Sequence, residues 1–378
     1  MEKKRIVFLT GTRADFGKLK SLIEISSNSE EFDVHIFATG MHMQSQYGYT
    51  VDEIVKCGYK NIEMYVNWTS EESMDKTLAK TIEGFSDYVK RIKPDLIVIH
   101  GDRVETLAGA IVGSLNNKLV AHIEGGEVSG TIDELLRHST SKLSHIHFVS
   151  SESAKKRLIQ MGELSSSIYV IGSPDIDIMV SNKLPSIEEV KNRYDITFEE
   201  YAILLFHSVT TENGRMPKNV EQVVDAVLES ELNYVVIYPN NDLGSECILN
   251  QYKRFENNPR FRVFPSIRFE YFLVLLKMSK LLVGNSSAGI REAPYYGVPV
   301  VNIGTRQNNR TSLKEIHNCG YSTTDILDGI TKFYNLHPKK VELFGQGNSN
   351  NLFLETLKSE SLWNVNPQKQ FNDIEVAN

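Results

Sequence analysis

Cysteine is scarce: Cys57, Cys247 and Cys319 are the only three in 378 residues, and they are scattered without metal-ligand spacing. An odd, sparse set builds no disulfide framework and fits a reducing compartment. No uncharged apolar run approaches the roughly 18 residues that a membrane helix requires. The first residues, Met1 to Arg5, are charged, and few apolar residues follow before Gly11, Arg13 and Asp15. No signal-peptide core is expected there, so the expected location is cytoplasmic, away from membranes.

Positive charge is also in deficit. A net charge of -7 argues against nucleic acid as a partner. It leaves room for a small anionic ligand, because a few Arg and Lys side chains invert the field locally. The ten histidines show no H-x-x-x-H helix pattern with a third ligand, and His145-Ile146-His147 turns its two rings to opposite faces of a strand. No metal is expected. There is no G-x-G-x-x-G, so a nicotinamide cofactor is not supported; no cofactor of any kind is expected. What is present, 41% apolar and 24% charged residues, is the composition of a folded protein.

A chain of this length predicts two domains. Compact apolar runs alternate with helix-length segments. Strands are expected at Ile6–Leu9, Phe32–Ala38, Leu96–His100, Leu119–Ile123, Ile146–Val149 and Ile168–Ile171, with helices at Ser73–Ile92 and Val104–Leu115. After a polar connection from Ser181 to Glu200 the alternation restarts. Strands are expected at Ala202–Phe206, Tyr234–Tyr238, Phe261–Phe264, Leu281–Val283 and Val298–Ile303, with helices at Lys218–Glu229, Arg268–Met278 and Gly289–Tyr296. Near-continuous apolar strands alternating with helices imply parallel sheets covered on both faces. The expected fold is therefore α/β, with two Rossmann-like doubly wound domains spanning 1–180 and 181–350 and a tail, 351–378, packing back on the first. Ligands in such sheets sit beyond the carboxyl ends of the strands, which predicts a site in the inter-domain cleft.

The polar clusters fall at those ends. Gly11-Thr12-Arg13-Ala14-Asp15 opens a helix, where backbone N–H groups and Arg13 suit a phosphate and Lys18 follows one turn later; a tight turn with Arg13 paired to a surface carboxylate reads equally well. In His100-Gly101-Asp102-Arg103, Asp102 suits acid–base work with Arg103 holding it ionised or contacting substrate, unless Asp102 only caps the next helix. His122-Ile123-Glu124-Gly125-Gly126-Glu127, continuing to Asp133, Glu134 and Arg137, is the densest titratable patch. Crowded carboxylates there would separate into acid and base, or Glu124 forms a structural ion pair and Asp133 a helix start. Gly125-Gly126 is expected to let backbone approach a ligand. His207 follows a strand alone, a weaker signal. In Gly284-Asn285-Ser286-Ser287-Ala288-Gly289-Ile290-Arg291-Glu292, small residues and two hydroxyls suit a second phosphate, and Glu292 suits a ribose diol. Gly304-Thr305-Arg306-Gln307 adds a further Arg.

Together these stretches, collinear from Thr10 to about Arg310, resemble the hydrolysing UDP-N-acetylglucosamine 2-epimerases of bacterial sialic acid biosynthesis. The resemblance implies a glycosyltransferase-B-like architecture in a homodimer or homotetramer, with a UDP-sugar substrate. It implies that Asp102, Glu124, Asp133 and His207 line the sugar site, that Arg13, Ser286, Ser287 and Arg306 hold the diphosphate, and that Glu292 holds the ribose. Asn240 would lie on the nucleotide side and His42 near the sugar. Non-hydrolysing relatives carry an Ala-Gly-Leu-Arg type run after the counterpart of Glu124; Gly125-Gly126-Glu127-Val128-Ser129-Gly130 departs from it and favours the hydrolysing branch. Ser208 stands where related sequences tend to have Pro. The implied reaction is elimination of UDP to a glycal followed by hydration. Alternatives are a 2-epimerase of UDP-N,N'-diacetylbacillosamine, a glycosyltransferase on the same architecture, and a non-catalytic UDP-sugar sensor.

Overall fold

A computed structural model describes residues 3–68, 73–308, 310 and 313–374. The chain divides into two units. Unit 1 comprises 1–127, 133–181 and 344–378; unit 2 comprises 128–132 and 182–343. The five residues 128–132 thus belong with unit 2, although the sequence on both sides of them belongs to unit 1. Likewise, residues from Phe344 onward belong with unit 1, earlier than the boundary at 350 expected from composition.

Among the described residues, unit 1 is built on seven parallel strands: β1 (Lys4–Thr10), β2 (Phe32–Ala38), β3 (Ile62–Met64), β4 (Leu96–His100), β5 (Leu119–Ile123), β6 (Ile146–Val149) and β7 (Ile168–Val170), in the order β3-β2-β1-β4-β5-β6-β7. The continuous apolar character of these strands has a direct cause. Successive side chains point to opposite faces, and both faces are covered. Ile6 and Phe8 of β1 enter one core with Leu19, Leu22, Phe148 and Phe353, whereas Val7 and Leu9 enter the other with Phe37, Phe85 and Ile99. Phe353, from the Ser349–Lys358 helix, meets Phe148 edge-on at 4.7 Å.

Among the described residues, unit 2 repeats the plan with six parallel strands: β8 (Ala202–Leu205), β9 (Tyr234–Ile237), β10 (Phe261–Phe264), β11 (Leu281–Gly284), β12 (Val300–Ile303) and β13 (Ile316–Cys319), ordered β10-β9-β8-β11-β12-β13. Counted within its own unit, each sheet begins 3-2-1-4-5, so the order reverses between its first and fourth strands. At such a reversal the loops leaving the two strands diverge and open a crevice. In unit 1 the point lies between Thr10-Gly11 and His100-Gly101; in unit 2 it lies between Leu205-Phe206 and Gly284-Asn285.

One expected helix is broken. The segment read as Gly289–Tyr296 is a 3-10 turn, Ser287–Gly289, followed by a separate helix, Glu292–Tyr296. A continuous helix would require the N–H of Pro294 to reach the carbonyl of Ile290, and proline has none.

Candidate functional site

In unit 1 the turn after β1 is locked by its own side chains. Thr12 caps the Arg13–Ser27 helix by accepting from Asp15 N at 3.1 Å, and the Gly11 N–H donates to Asp15 Oδ2 at 2.9 Å. The other oxygen of Asp15 lies 3.0 Å from His100 Nδ1, and His100 Nε2 lies 3.1 Å from Glu124 Oε2. The hydroxyl of Ser173 donates to the remaining oxygen of Glu124. Three strand ends are thereby joined through one imidazole. Burial alone would discharge His100, but Glu124 first and then Asp15 outweigh it, lifting its pKa to about 9. At neutral pH a cation therefore sits between two carboxylates. Glu124 itself holds φ +63, in the left-handed region that a side chain other than Gly, Asn or Asp seldom adopts. Such a conformation persists only where the surroundings impose it.

Asp102 stands in the next turn and is about a quarter exposed; Arg137, almost wholly buried on the Ile132–Leu143 helix, donates to it. Arg103, expected to hold Asp102 ionised or to contact substrate, pairs through Nε with the buried Glu105 at 3.2 Å. Arg137 reaches Asp102 from the Ile132–Leu143 helix. Nor is Asp102 a helix cap: the cap position is Arg103. Asp133 lies in the first turn of the Ile132–Leu143 helix.

Three further sequence expectations meet a different geometry. Lys18 is buried and pairs with Asp175, 3.3 Å away. His42 is fully buried between Thr10 Oγ1 at 3.1 Å and Thr50 Oγ1 at 2.7 Å; with both nitrogens engaged it braces the end of β1, and burial lowers its pKa to about 4. The space a side chain would take at Gly125 and Gly126 is filled by Ser141 Oγ and by the Ala154 carbonyl, so these glycines serve close packing of the protein on itself. Arg13 opens the helix that follows the turn after β1, and its Nη2 binds Glu53 at 2.7 Å.

In unit 2 the organiser is Asn285, fully buried at the end of β11. Its Oδ1 accepts the His207 N–H at 2.7 Å and its Nδ2 donates to the His207 carbonyl at 2.9 Å, joining the loops on both sides of the strand reversal. The His207 ring accepts from the Asn240 N–H at Nδ1, 3.0 Å, which leaves the neutral ring its proton on Nε2. Arg306 Nη1 and Gln307 Nε2 both donate to the Asn285 carbonyl, at 3.4 and 2.8 Å. His207, Asn240, Asn285 and Arg306 thus form one connected set. Ser286 adjoins it, accepting from Ala288 N at 3.3 Å, with Ser287 next in the same short turn and Glu292 buried at the start of the following helix. Gly284 takes φ +138, and a Cβ there would stand 2.0 Å from the Leu205 carbonyl, so the strands meet at the reversal only because this residue is glycine. The segment 128–132 joins unit 2 through Gly130, whose N–H donates to the Arg306 carbonyl at 3.0 Å.

Asp15, Arg137 and Asn285 lie in stretches read from the sequence but carry no assigned role there, and Ser173 is not among the candidates. Asp15, Ser173 and Asn285 share one signal, a polar residue within a turn or two of a buried strand end; Arg137, in the middle of a helix, has none. Among the described residues no group of three or more His, Cys, Asp or Glu could hold a metal ion, and no helix is long and apolar enough to cross a membrane.

A family model described as UDP-N-acetylglucosamine 2-epimerase matches residues 24–358. The chain is 48% identical over 377 residues to a UDP-N-acetylglucosamine 2-epimerase of Neisseria meningitidis, covering 99% of this chain and all of the relative. It is 33% identical to a hydrolysing UDP-N,N'-diacetylbacillosamine 2-epimerase of Legionella pneumophila, over 94% of this chain and 96% of that one. The crystal structure of a UDP-GlcNAc 2-epimerase of Methanocaldococcus jannaschii, in complex with UDP-GlcNAc and UDP, superposes with a TM-score of 0.81 at 21% identity, covering 93% of this chain and 99% of its own; it shares the glycosyltransferase-B-like fold of two Rossmann-like domains. By sequence and by fold, this chain belongs to the UDP-N-acetylglucosamine 2-epimerase family.

Proposed function

We propose that this chain is a hydrolysing UDP-N-acetylglucosamine 2-epimerase, converting UDP-GlcNAc and water into N-acetylmannosamine and UDP for sialic acid biosynthesis in the cytoplasm, as a homodimer or homotetramer. The observation that carries the reading is Glu124, held in a left-handed conformation with His100 on one oxygen and Ser173 on the other. That arrangement suits a carboxylate that must meet a weakly acidic C–H in one orientation.

The C2 proton of the sugar has no adjacent carbonyl, so it becomes removable only as the C1–O bond breaks and positive charge builds on the ring. UDP departs with that electron pair; Arg13, Ser286, Ser287 and Arg306 are the groups assigned to its diphosphate, with Glu292 on the ribose. A carboxylate takes the C2 proton, and the C–H electron pair becomes the double bond of a glycal. C2 then accepts a proton on its opposite face, water adds its oxygen to C1, and the second water proton goes to a base. Two faces require two titratable groups, and Asp102, Glu124, Asp133 and His207 are the candidates.

NMR of UDP-GlcNAc turned over in deuterated water tests this. Free N-acetylmannosamine carrying deuterium at C2, together with UDP, is the expected product. UDP-N-acetylmannosamine would mean a non-hydrolysing enzyme, and no exchange at C2 without an acceptor would favour a glycosyltransferase. A second reading, hydrolysis of UDP-N,N'-diacetylbacillosamine, draws on the Legionella relative. It has the lower identity, 33% against 48%, and is separated by offering each UDP-sugar in turn.

A further inference from the structure

The last described stretch of the chain is tied to unit 1 by a charge the proposed reaction does not use. Lys369, three-quarters buried, places its Nζ at the carboxyl end of the Ile132–Leu143 helix and donates to the carbonyls of Lys142 at 2.8 Å, Ser144 at 2.7 Å and Ser141 at 3.4 Å. These carbonyls lie in and just past the last turn of that helix, where its negative dipole end stabilises a cation. Buried Glu163 pairs with Lys369 and also with Lys142 and His147. Nearby, His145 Nε2 donates to the carbonyl of Pro367 at 2.9 Å, fixing the same segment a second time.

The helix so capped is the one that serves Asp102. Arg137 on it donates to Asp102 directly. The hydroxyl of Ser141, whose carbonyl Lys369 holds, lies 3.0 Å from His122 Nδ1, and His122 Nε2 lies 2.8 Å from the Gly101 carbonyl. The ring is wholly buried and burial holds it neutral, with a pKa lowered to about 3. A neutral ring that donates from Nε2 must accept at Nδ1, so the hydroxyl is the donor there. Lys369 thus holds Ser141 by its backbone carbonyl, and the hydroxyl of the same residue reaches His122, which reaches the Gly101 carbonyl one residue before Asp102.

We infer that Lys369 is a positioning residue for Asp102, acting through the carboxyl end of the Ile132–Leu143 helix and through His122. The inference rests on the epimerase reading for its kinetic consequence, but its structural consequence stands without it.

The test compares full-length wild type with Lys369→Met and Lys369→Arg. A misplacement of about 1 Å is worth up to about 100-fold in rate, so Lys369→Met is expected to lower kcat by about 10-fold with KM changed less than twofold. Lys369→Arg keeps the cation and recovers most of kcat. Amide hydrogen exchange is expected to accelerate in 132–143 and 100–103 of Lys369→Met, and not in the Arg13–Ser27 helix. Unchanged kcat in Lys369→Met overturns the proposal, as does exchange accelerated uniformly through unit 1 or no recovery with arginine. Should the wild type itself fail to turn over UDP-GlcNAc, the epimerase reading falls, and the exchange comparison alone decides the role of Lys369.

Discussion

His100 stands 3.1 Å from Glu124, and its other ring nitrogen faces Asp15 at 3.0 Å. The ring is buried, yet the carboxylates raise its pKa to about 9. A histidine whose pKa is higher folded than unfolded stabilises the fold fully below about 6.5 and loses that contribution as pH rises through about 9. Melting temperature is therefore expected to fall between these values. In Glu124→Gln the main partner is gone, the His100 pKa drops, and the alkaline decline flattens. The same variant is expected to lose about 100-fold or more in kcat, the usual worth of a positioned acid or base. A Glu124→Gln protein that keeps both wild-type turnover and the wild-type alkaline decline sinks the assignment.

On the acid side the sign reverses. Burial lowers His42 to about 4 and His122 to about 3, so both are neutral in the fold. The unfolded chain takes up their protons near 6.5. Their stabilisation is present above 6.5 and is lost as pH falls through the two lowered values. Stability should peak close to neutrality and decline in both directions. A melting temperature still level from pH 6.5 down to 4 would contradict the burial of these rings.

How much of this was legible beforehand depended on how local each signal was. Strands such as Leu96–His100 and Leu119–Ile123 were readable to the residue, because burial on both faces writes an unbroken apolar run that a polar turn then ends. The short edge strand Ile62–Met64 was not, since with one neighbour it is only half covered and alternates with polar residues. Neither was β13, Ile316–Cys319, for the same reason. Asp102 and Glu124 were visible as carboxylates at strand ends. Their partners were not: Arg137 lies 35 residues from Asp102, and Ser173 lies 49 from Glu124. Only the folded sheet order brings such positions together. Lys18 is the same case: its ion-pair partner Asp175 lies far along the chain, where no local pattern shows it.

Arg137 and Asp102 should behave as one unit. Arg137→Met removes the donor from Asp102 and from the Glu127 carbonyl, 3.4 Å away, at a cost of about 1–3 kcal/mol in stability. Turnover is expected to fall by about 10- to 100-fold, with Arg137→Lys intermediate because one ammonium cannot reproduce the guanidinium fork. Combined with Asp102→Asn, the second substitution should add little, since residues sharing an interaction are not additive. Fully additive losses in kcat would show that the two side chains act separately.

Unit 2 allows a test that leaves the carboxylates untouched. Asn285→Asp keeps the oxygen that accepts the His207 N–H but replaces the amide that donates to the His207 carbonyl, so two acceptors confront each other inside the protein. The desolvated mismatch costs about 1–3 kcal/mol. The loop carrying His207 is anchored on this side chain and would shift away from it, and the Arg306 loop, bonded to the carbonyl of the same residue, would move with it. If those loops hold the nucleotide, calorimetry should show the Kd for UDP rising about tenfold or more, each tenfold being about 1.4 kcal/mol. KM for the UDP-sugar should rise with it. Glu124→Gln, by contrast, should bind UDP as wild type does, because its loss falls on the chemical step. Equal UDP affinity in Asn285→Asp and wild type would move the nucleotide away from the β8–β11 reversal, and with it the roles given to Ser286, Ser287 and Arg306.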